Sequence, residues 1–276
     1  MIITQSTRTA LRLAVIVGIS SKTTRANKLL QRTKAAEPLK GVSMKYMGSK
    51  NRIAKHILPI ILENRKPKQW YVEPFVGGAN MIDKVNGNRI GADINKHLIS
   101  ALKLIRDCPD CLPQDNTQFT EIDYSDIKKS PNNKLYGYAG FALSYAGKWY
   151  GGWCRDGAGK RDYVAEAYRN AIRQSPKLNG VSFYHSEYDK LVFPPASIIY
   201  CDPPYRGTTR YKDHFDHGYF FNWCREQSIL GHKVFVSEYN APDDFECVWE
   251  KEIVSSLTKE TGSKKGVEKL FKLKAA

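Results

Sequence analysis

The feature that most constrains this chain is an alternation of apolar runs with helical patterns. Trp70–Val72 is typical of a short strand, a glycine-containing turn follows it, and Arg89–Ala92 forms a second strand pattern that ends at Asp93. Helical patterns follow the two strands, near Asn80–Val85 and over Lys96–Arg106. Because strands joined by crossover helices run parallel, this order predicts an α/β sheet with helices on its faces.

The alternation stops between residues 107 and 180, where Pro, Asn and Gly clusters and an aromatic-rich stretch occur. The strand pattern then resumes at Val181–His185, Ser197–Cys201 and Lys233–Ser237, and a hairpin is expected from Cys247–Val254 and Val267–Leu273. We therefore predict one main domain built from residues 44–106 and 181–276. A mainly helical subdomain, residues 107–180, would be inserted in it.

Residues 1–43 have a different composition from the rest of the chain. Eight Lys or Arg residues oppose a single Glu there, which gives a net charge of +7. We expect a basic extension or a flexible arm; the composition also resembles that of a transit peptide. Met44 opens the ordered pattern, so an upstream extension of the true start is a third interpretation.

The net charge of the whole chain is +15, with a sequence pI near 9.4. Such an excess predicts a polyanionic partner, with nucleic acid first and an anionic membrane surface second. No apolar run approaches the roughly 18 residues of a membrane span, so we expect no membrane partner. A basic face that is merely solvated is the alternative.

Six cysteines are present, and Cys108 and Cys111 form an isolated C-P-D-C. A structural zinc site generally needs a second such pair. We therefore expect reduced thiols, a cytoplasmic protein and no metal site.

The stretch "IIYCDPPY" joins an apolar run, Ile198–Cys201, to a carboxylate, two prolines and a tyrosine. Two prolines end a buried strand because they cannot donate to its ladder. Asp202 and the fixed carbonyl of Pro203 would form a rigid acceptor pair suited to an amino group. Tyr205 would offer a flat face on which a base could stack. A plain strand-ending turn is the competing interpretation.

An exocyclic amine of a base is a poor nucleophile, because its lone pair is delocalised into the ring. Two acceptors that grip its hydrogens would localise this lone pair and would stabilise the positive charge that develops during attack. Placing the amine in line with an electrophilic methyl group would then supply the main catalytic effect.

The glycine turn after the first strand reads "VEPFVGGAN", from Val72 to Asn80. Glycines there permit a tight turn and close backbone approach to a ligand. Asp93 lies twenty residues after Glu73, about where an acid accepts hydrogen bonds from ribose hydroxyls in nucleotide-binding sheets. A helix N-cap is the alternative role for Asp93. Together the loop and the acid predict an adenosine-containing cofactor.

These motifs in this order resemble the Dam-like DNA adenine methyltransferases. "MKYMGSK" at 44–50, "VEPFVGGAN", the acid Asp93, "SFYHSEY" at 182–188, "CDPPY" and "VFVSEYNAP" at 234–242 each resemble an element of that family. The resemblance covers about Met44 to Leu273. It implies a Rossmann-like methyltransferase sheet with a target-recognition insertion at 107–180. It also implies S-adenosylmethionine as cofactor and methylation of the exocyclic nitrogen of a flipped adenine.

Site residues follow from the motif matches. The catalytic set implied is Asp202, Pro203, Pro204 and Tyr205. The implied cofactor-binding set is Tyr46, Lys50, Glu73, Phe75, Gly77, Gly78, Asp93, Tyr188 and Asp202. Three positions depart from the family pattern: Tyr46 stands where the family often has Trp, Ser49 replaces a glycine, and Ala79 replaces the third glycine of the loop. Ala79 is acceptable there only if the position does not need a positive φ.

Double-stranded DNA is the partner that the resemblance implies. Phosphate or base contacts are expected from Lys148, Arg155, Lys160, Arg161, Arg206, Arg210 and Tyr211. The aromatic and basic "GKWYGGWCRDGAGKR" is typical of a loop that contacts bases. An RNA adenine, a cytosine amine, and a DNA-binding regulator without catalysis remain alternatives. We expect a monomer in the cytoplasm of a bacterial or phage-infected cell; a partner restriction nuclease is compatible with the sequence, which does not show one.

Overall fold

The computed structural model describes residues 43–206, 215–254 and 265–274. Its centre is a sheet with the strand order β3-β2-β1-β4-β5-β7-β6. The strands are β1 Tyr71–Glu73, β2 Arg89–Asp93, β3 Val181–His185, β4 Ile198–Cys201, β5 Lys233–Glu238, β6 Phe245–Val254 and β7 Lys265–Leu273. Strands β1 to β5 pair in parallel, and β7 pairs antiparallel with both β5 and β6. The predicted α/β sheet with helices on its faces is confirmed.

Six α-helices accompany these strands in the described ranges: α1 Ala54–Ile61, α2 Lys96–Asp107, α3 Glu121–Lys128, α4 Tyr136–Ala142, α5 Tyr163–Leu178 and α6 His217–Ile229. Polar side chains cap several N-termini. Thr120 and Asp123 form a capping box on α3, and Asp162 caps α5. The prediction of a helix over Asn80–Val85 is wrong in extent, because only a 3₁₀ turn at Ile82–Lys84 forms there.

The strand order reverses between β1 and β4, which pair through Tyr71↔Ile198 and Val72↔Ile199. On its other side β4 pairs with β5. The carboxyl ends of these three strands therefore lie side by side. Open α/β sheets bind their ligands at such a reversal, outside the carboxyl ends of the strands.

The two faces of the sheet carry separate hydrophobic clusters. Tyr71, Ile198 and Tyr200 belong to one cluster, together with side chains from α1, α2, α4 and α5. Ile199 and Cys201 belong to the other, which α6 covers. Helices α4 and α5 lie within the predicted insertion, yet they share a core with the sheet. The boundaries of the insertion stay a prediction.

Close approach of α4 to α2 depends on a glycine. A Cβ built on Gly137 would lie 2.1 Å from the carbonyl oxygen of His97, which no side chain tolerates. The insertion is thus attached to the helix that follows β2, directly after Asp93.

Cys108 and Cys111 are joined by a disulfide at the end of α2. The prediction of reduced thiols is therefore wrong for this pair, while Cys154, Cys201, Cys224 and Cys247 are free. None of the helices in the described part of the chain has the length and apolarity needed to cross a membrane.

Candidate active site

Asp202 directly follows β4 and forms an ion pair with Lys50, with Nζ 3.1 Å from Oδ1. Lys50 comes from the 3₁₀ turn Lys50–Arg52 and is almost completely buried. Its Nζ also lies 3.4 Å from Oε2 of Glu268 on β7. Oδ1 of Asp202 is buried against Lys50, but the side chain as a whole is 21% exposed, so the rest of the carboxylate can reach a substrate group.

Tyr205 lies over this ion pair. Its hydroxyl donates to Oε2 of Glu268 at 2.7 Å, and Lys50 Nζ lies 4.3 Å from the centre of its ring. The side chain is 8% exposed, so the expected open stacking face is not present in this structure. Tyr239, which meets the Tyr205 ring edge-on at a centroid distance of 4.6 Å, is 38% exposed. Tyr239 is therefore the ring beside Asp202 that a base could reach.

Burial raises the pKa of Asp202 to about 6, although Lys50 opposes this shift. Burial alone would lower the pKa of Lys50, but the carboxylates of Asp202 and Glu268 outweigh it and raise the pKa. Lys50 thus stays protonated at neutral pH, and Asp202 is mainly ionised there. With two carboxylates around one ammonium group, the cluster carries a net negative charge that suits a positive ligand.

Two further buried carboxyl groups lie at the ends of neighbouring strands. Glu238 ends β5, is 1% exposed and accepts hydrogen bonds from the backbone amides of Arg206 and Tyr239. Burial raises the pKa of Glu238 to about 7. Glu73 ends β1 and accepts a hydrogen bond from the hydroxyl of Tyr71 at 2.8 Å. Burial raises the pKa of Glu73 well above its usual range, against the hydrogen bond from Tyr71.

The glycine loop packs against the segment that carries Lys50. A Cβ on Gly78 would lie 2.7 Å from Cβ of Tyr46 and 2.6 Å from Nδ2 of Asn80. Gly77 has a φ of +50°, and a Cβ there would lie 3.0 Å from the Tyr46 ring. Both glycines are therefore required for contact between the loop and Tyr46.

Ala79 has a φ of +57°, so this position does adopt the left-handed conformation. The expectation that it would not need a positive φ is wrong, and the non-glycine residue costs about 1–2 kcal/mol there. Ser49, the other replaced glycine, accepts a hydrogen bond from the amide of Asn51 and caps the turn that holds Lys50. This replacement is compatible with the site.

Asp93 ends β2 beside the glycine loop. Its Oδ2 accepts a hydrogen bond from the amide of Gly77 at 3.2 Å, and Oδ1 accepts one from the amide of Asn95 at 2.9 Å. The side chain that caps α2 is that of Asn95, not Asp93, so the alternative role considered for Asp93 is wrong. Burial raises the pKa of Asp93 to about 6 against the two backbone hydrogen bonds.

Tyr188 and Phe75 lie on the other face of the sheet. Their rings stack at a centroid distance of 5.3 Å with an interplanar angle of 29°. Phe75 also packs edge-on against Phe220 of α6. Phe75 of the glycine loop and Tyr188, which follows β3, thus belong to one aromatic cluster, which could form a wall against a flat ligand.

Four of the predicted DNA contacts, Lys148, Arg155, Lys160 and Arg161, lie in the insertion, and Arg206, Arg210 and Tyr211 follow β4. Lys148, Lys160 and Arg206 are exposed. Both Nε and Nη2 of Arg155 contact the carboxylate of Glu121, with Nε 3.0 Å from Oε2. Arg161 forms an ion pair with Glu166, with Nη2 2.5 Å from Oε2. Arg210 and Tyr211 lie outside the described residues.

The aromatic rings of "GKWYGGW" are packed, which differs from the base-contacting loop that we expected. Trp149 stacks on His97 at a centroid distance of 5.2 Å and contacts Phe141 at 4.7 Å. The hydroxyl of Tyr150 donates to the carbonyl of Tyr136. These rings fix the insertion to α2, whereas Tyr145, two residues before this segment, is 62% exposed.

Sequence reasoning missed several groups that support the site: Gln174, Glu238, Tyr239 and Glu268. Gln174 is completely buried; its Oε1 accepts from the amide of Met44 and its Nε2 donates to the carbonyl of Gly78, both at 2.9 Å. It therefore ties the Tyr46–Lys50 segment to the glycine loop. Glu238 and Tyr239 belong to the quoted "VFVSEYNAP", whereas no motif indicated Gln174 or Glu268.

Comparison with known proteins agrees with this geometry. The family model described as D12 class N6 adenine-specific DNA methyltransferase matches residues 46–139. The recognised resemblance is confirmed over this range, which contains Lys50, the glycine loop and Asp93. No curated protein matches the chain at a significant level.

Among solved structures, SMU.472, a candidate methyltransferase complexed with SAH, matches at 12% identity with a TM-score of 0.32. The match covers 82% of this chain and 52% of the other. The chain thus spans about half the length of that protein.

Proposed function

We propose that this protein is an S-adenosylmethionine-dependent methyltransferase that modifies the exocyclic nitrogen of adenine in double-stranded DNA. The observation that carries the proposal is the position of Asp202. It lies at the strand-order reversal, on the strand next to the one that leads into the glycine loop, with a carboxylate that is held by Lys50 and is 21% exposed. The family match supports the same class of reaction.

The residues present fit the proposed cofactor. The Gly77–Gly78 turn permits close approach, Asp93 offers a carboxylate to hydroxyl groups, and Phe75 with Tyr188 offers an apolar wall. The net negative cluster around Lys50 would favour a sulfonium cation. When bound, S-adenosylmethionine would supply an electrophilic methyl group.

Asp202 would act on the amine in two steps. Its carboxylate first accepts a hydrogen bond from the amino group, which increases electron density on the nitrogen and stabilises the charge that develops there. As the amine nitrogen takes up the methyl group that the bound cofactor would supply, the proton that the amine loses would pass to Asp202. The carbonyl of Pro203 would provide the second acceptor, because the proline ring fixes its direction.

The charge of +15 supports DNA as the substrate. A base in a duplex reaches such a site only after it is flipped out, which costs a few kcal/mol. Phosphate contacts from exposed residues such as Lys148 and Lys160 would offset this cost. Tyr239 would stack on the flipped base.

The test is transfer of a labelled methyl group from S-adenosylmethionine to DNA by the purified chain. Asp202→Asn should lower the rate by at least about 10²-fold, since it removes the charge that stabilises the transition state. Asp110→Asn, at an exposed aspartate, is the matched control and should leave the rate unchanged. Competition with RNA of the same sequence tests the substrate class. Transfer to RNA alone, or to neither, would overturn the proposal.

A further inference from the structure

Glu268 contacts two members of the site from a distant part of the chain. It lies on β7, 63 residues after Tyr205, and its Oε2 accepts from the Tyr205 hydroxyl at 2.7 Å. The same oxygen lies 3.4 Å from Lys50 Nζ. The side chain is 19% exposed, so this oxygen is held largely by protein groups rather than by water.

From this geometry we propose that Glu268 is a positioning residue that holds Lys50 and Tyr205 in place around Asp202. This proposal rests on the proposed function only for the reaction that the site carries out. The contacts of Glu268 with Lys50 and Tyr205 are present in the protein without a ligand. Charge-assisted hydrogen bonds of this kind are short and directional. Without Glu268, the ammonium group of Lys50 would have Asp202 as its one carboxylate partner among the residues described.

Glu268 also changes the electrostatic environment of Asp202. Its charge opposes ionisation of the Asp202 carboxyl group, whereas Lys50 favours it. The other groups that face Asp202 are Glu73 from β1, Glu238 from β5, the thiol of Cys201 and the hydroxyl groups of Tyr200, Tyr205 and Tyr239. Glu268 differs from these groups because it contacts both Lys50 and Tyr205. A mutation of Glu268 therefore separates its effect on Asp202 from the effects of the other groups.

The hairpin of β6 and β7 thereby gains a role beyond closing the sheet. Strand β7 pairs with β5 through Glu238↔Lys269, which fixes Glu268 one residue from the end of this ladder. Any change that shifts the register by one residue would turn the carboxylate to the opposite face. The hairpin is thus the element that delivers a carboxylate to the site.

The experiment compares Glu268→Gln with Glu250→Gln, a control at an exposed position on the neighbouring strand β6. The first readout is the titration of the Asp202 carboxyl carbon by NMR, assigned with Asp202→Asn, which needs no activity. Glu268→Gln should lower the titration midpoint of Asp202 by about one pH unit, because it removes a like charge. The control should leave the midpoint unchanged, and equal midpoints in all three proteins would overturn the proposal.

The second readout is the rate of methyl transfer. Glu268→Gln should shift the acid limb of the rate to lower pH and should reduce kcat about tenfold. Tyr205→Phe removes its own contact with Glu268 and leaves the Lys50–Glu268 contact, so the double variant should lose less than the two single variants combined. Additive losses would also overturn the proposal. If the wild type transfers no methyl group while the NMR shift occurs, the effect of Glu268 on the Asp202 carboxyl group stands and the proposed function fails.

Discussion

Lys50 Nζ lies 3.1 Å from Oδ1 of Asp202, across the 152 residues that separate the N-terminal motif from the end of β4. This ion pair joins two motifs that the sequence suggested independently. Burial disfavours the charged form of both side chains, and each partner stabilises the charge of the other. Most functional behaviour that we expect of the site follows from this balance.

The rate of methyl transfer should fall as the pH is lowered through about 6. Asp202 must be ionised to accept the hydrogen bond of the amine, and burial raises its pKa to about 6. Activity is therefore present above this value and is lost below it, about tenfold per pH unit. The measurement is kcat at saturating substrates between pH 5 and 8, with folding checked by circular dichroism at each pH. A constant kcat down to pH 5 would contradict this role of Asp202.

Asp93 should give a separate pH effect, on the KM of the cofactor. Its pKa is also raised to about 6, so its carboxylate is lost over the same range. Because Asp93 contacts the glycine loop rather than Asp202, its protonation should raise the cofactor KM without changing kcat. Asp93→Asn should show the high KM at every pH, which a titration of S-adenosylmethionine binding would detect.

Gly78→Ala should weaken cofactor binding. A methyl group there would meet Tyr46 Cβ and Asn80 Nδ2 at under 3 Å, and overpacking of this kind costs about 1–3 kcal/mol. The matched control is Gly157→Ala, where a Cβ would meet nothing within 4 Å. Calorimetric binding of S-adenosylmethionine should show a Kd raised roughly 5- to 150-fold in the first variant only. Equal affinities would mean that the loop is not the cofactor site.

Tyr239→Ala should raise the KM for DNA, because base stacking is worth about 1–3 kcal/mol. Tyr239→Phe keeps the ring and should retain most of the affinity. Tyr184→Ala removes a ring of similar exposure, 48%, on the edge strand β3 and serves as the control. Steady-state kinetics with a short duplex measure the effect. If Tyr184 proves as important as Tyr239, stacking at this position is not the cause.

Lys148→Ala should lower the affinity for DNA about equally for all sequences. It should also reduce the slope of log affinity against log salt concentration by about one, as expected for one lost phosphate contact. Arg155→Ala should have a smaller effect, since Arg155 is already paired with Glu121. Fluorescence anisotropy at several salt concentrations distinguishes the two. A larger loss for Arg155→Ala would indicate that the ion pair opens on binding.

Much of the fold could be predicted from the sequence, because parallel strands buried on both faces give continuous apolar runs with glycine and acid at their ends. The chemistry at Asp202 followed from local residues, since a strand end, two prolines and an acid are adjacent in sequence. The role of the aromatic residues around Trp149 was harder to predict from the sequence. Rings that pack on α2 and rings that contact a base have the same composition.

Contacts across the chain could not be predicted. Glu268 and Gln174 belong to no motif, and their partners lie 63 to 218 residues away. The positive φ of Ala79 was not foreseen because alanine disfavours that conformation. Such features depend on tertiary packing, which residue patterns do not encode locally.

Base-resolved mapping of the transferred methyl group tests the central claim most directly. Duplex DNA is incubated with the chain and labelled S-adenosylmethionine; one portion is then digested to nucleosides to identify the labelled base, and a second, intact portion is sequenced for modified positions. The account predicts label on N6 of adenine at defined sites, and none with Asp202→Asn. Label on cytosine, or label on adenine that persists in Asp202→Asn, would contradict it.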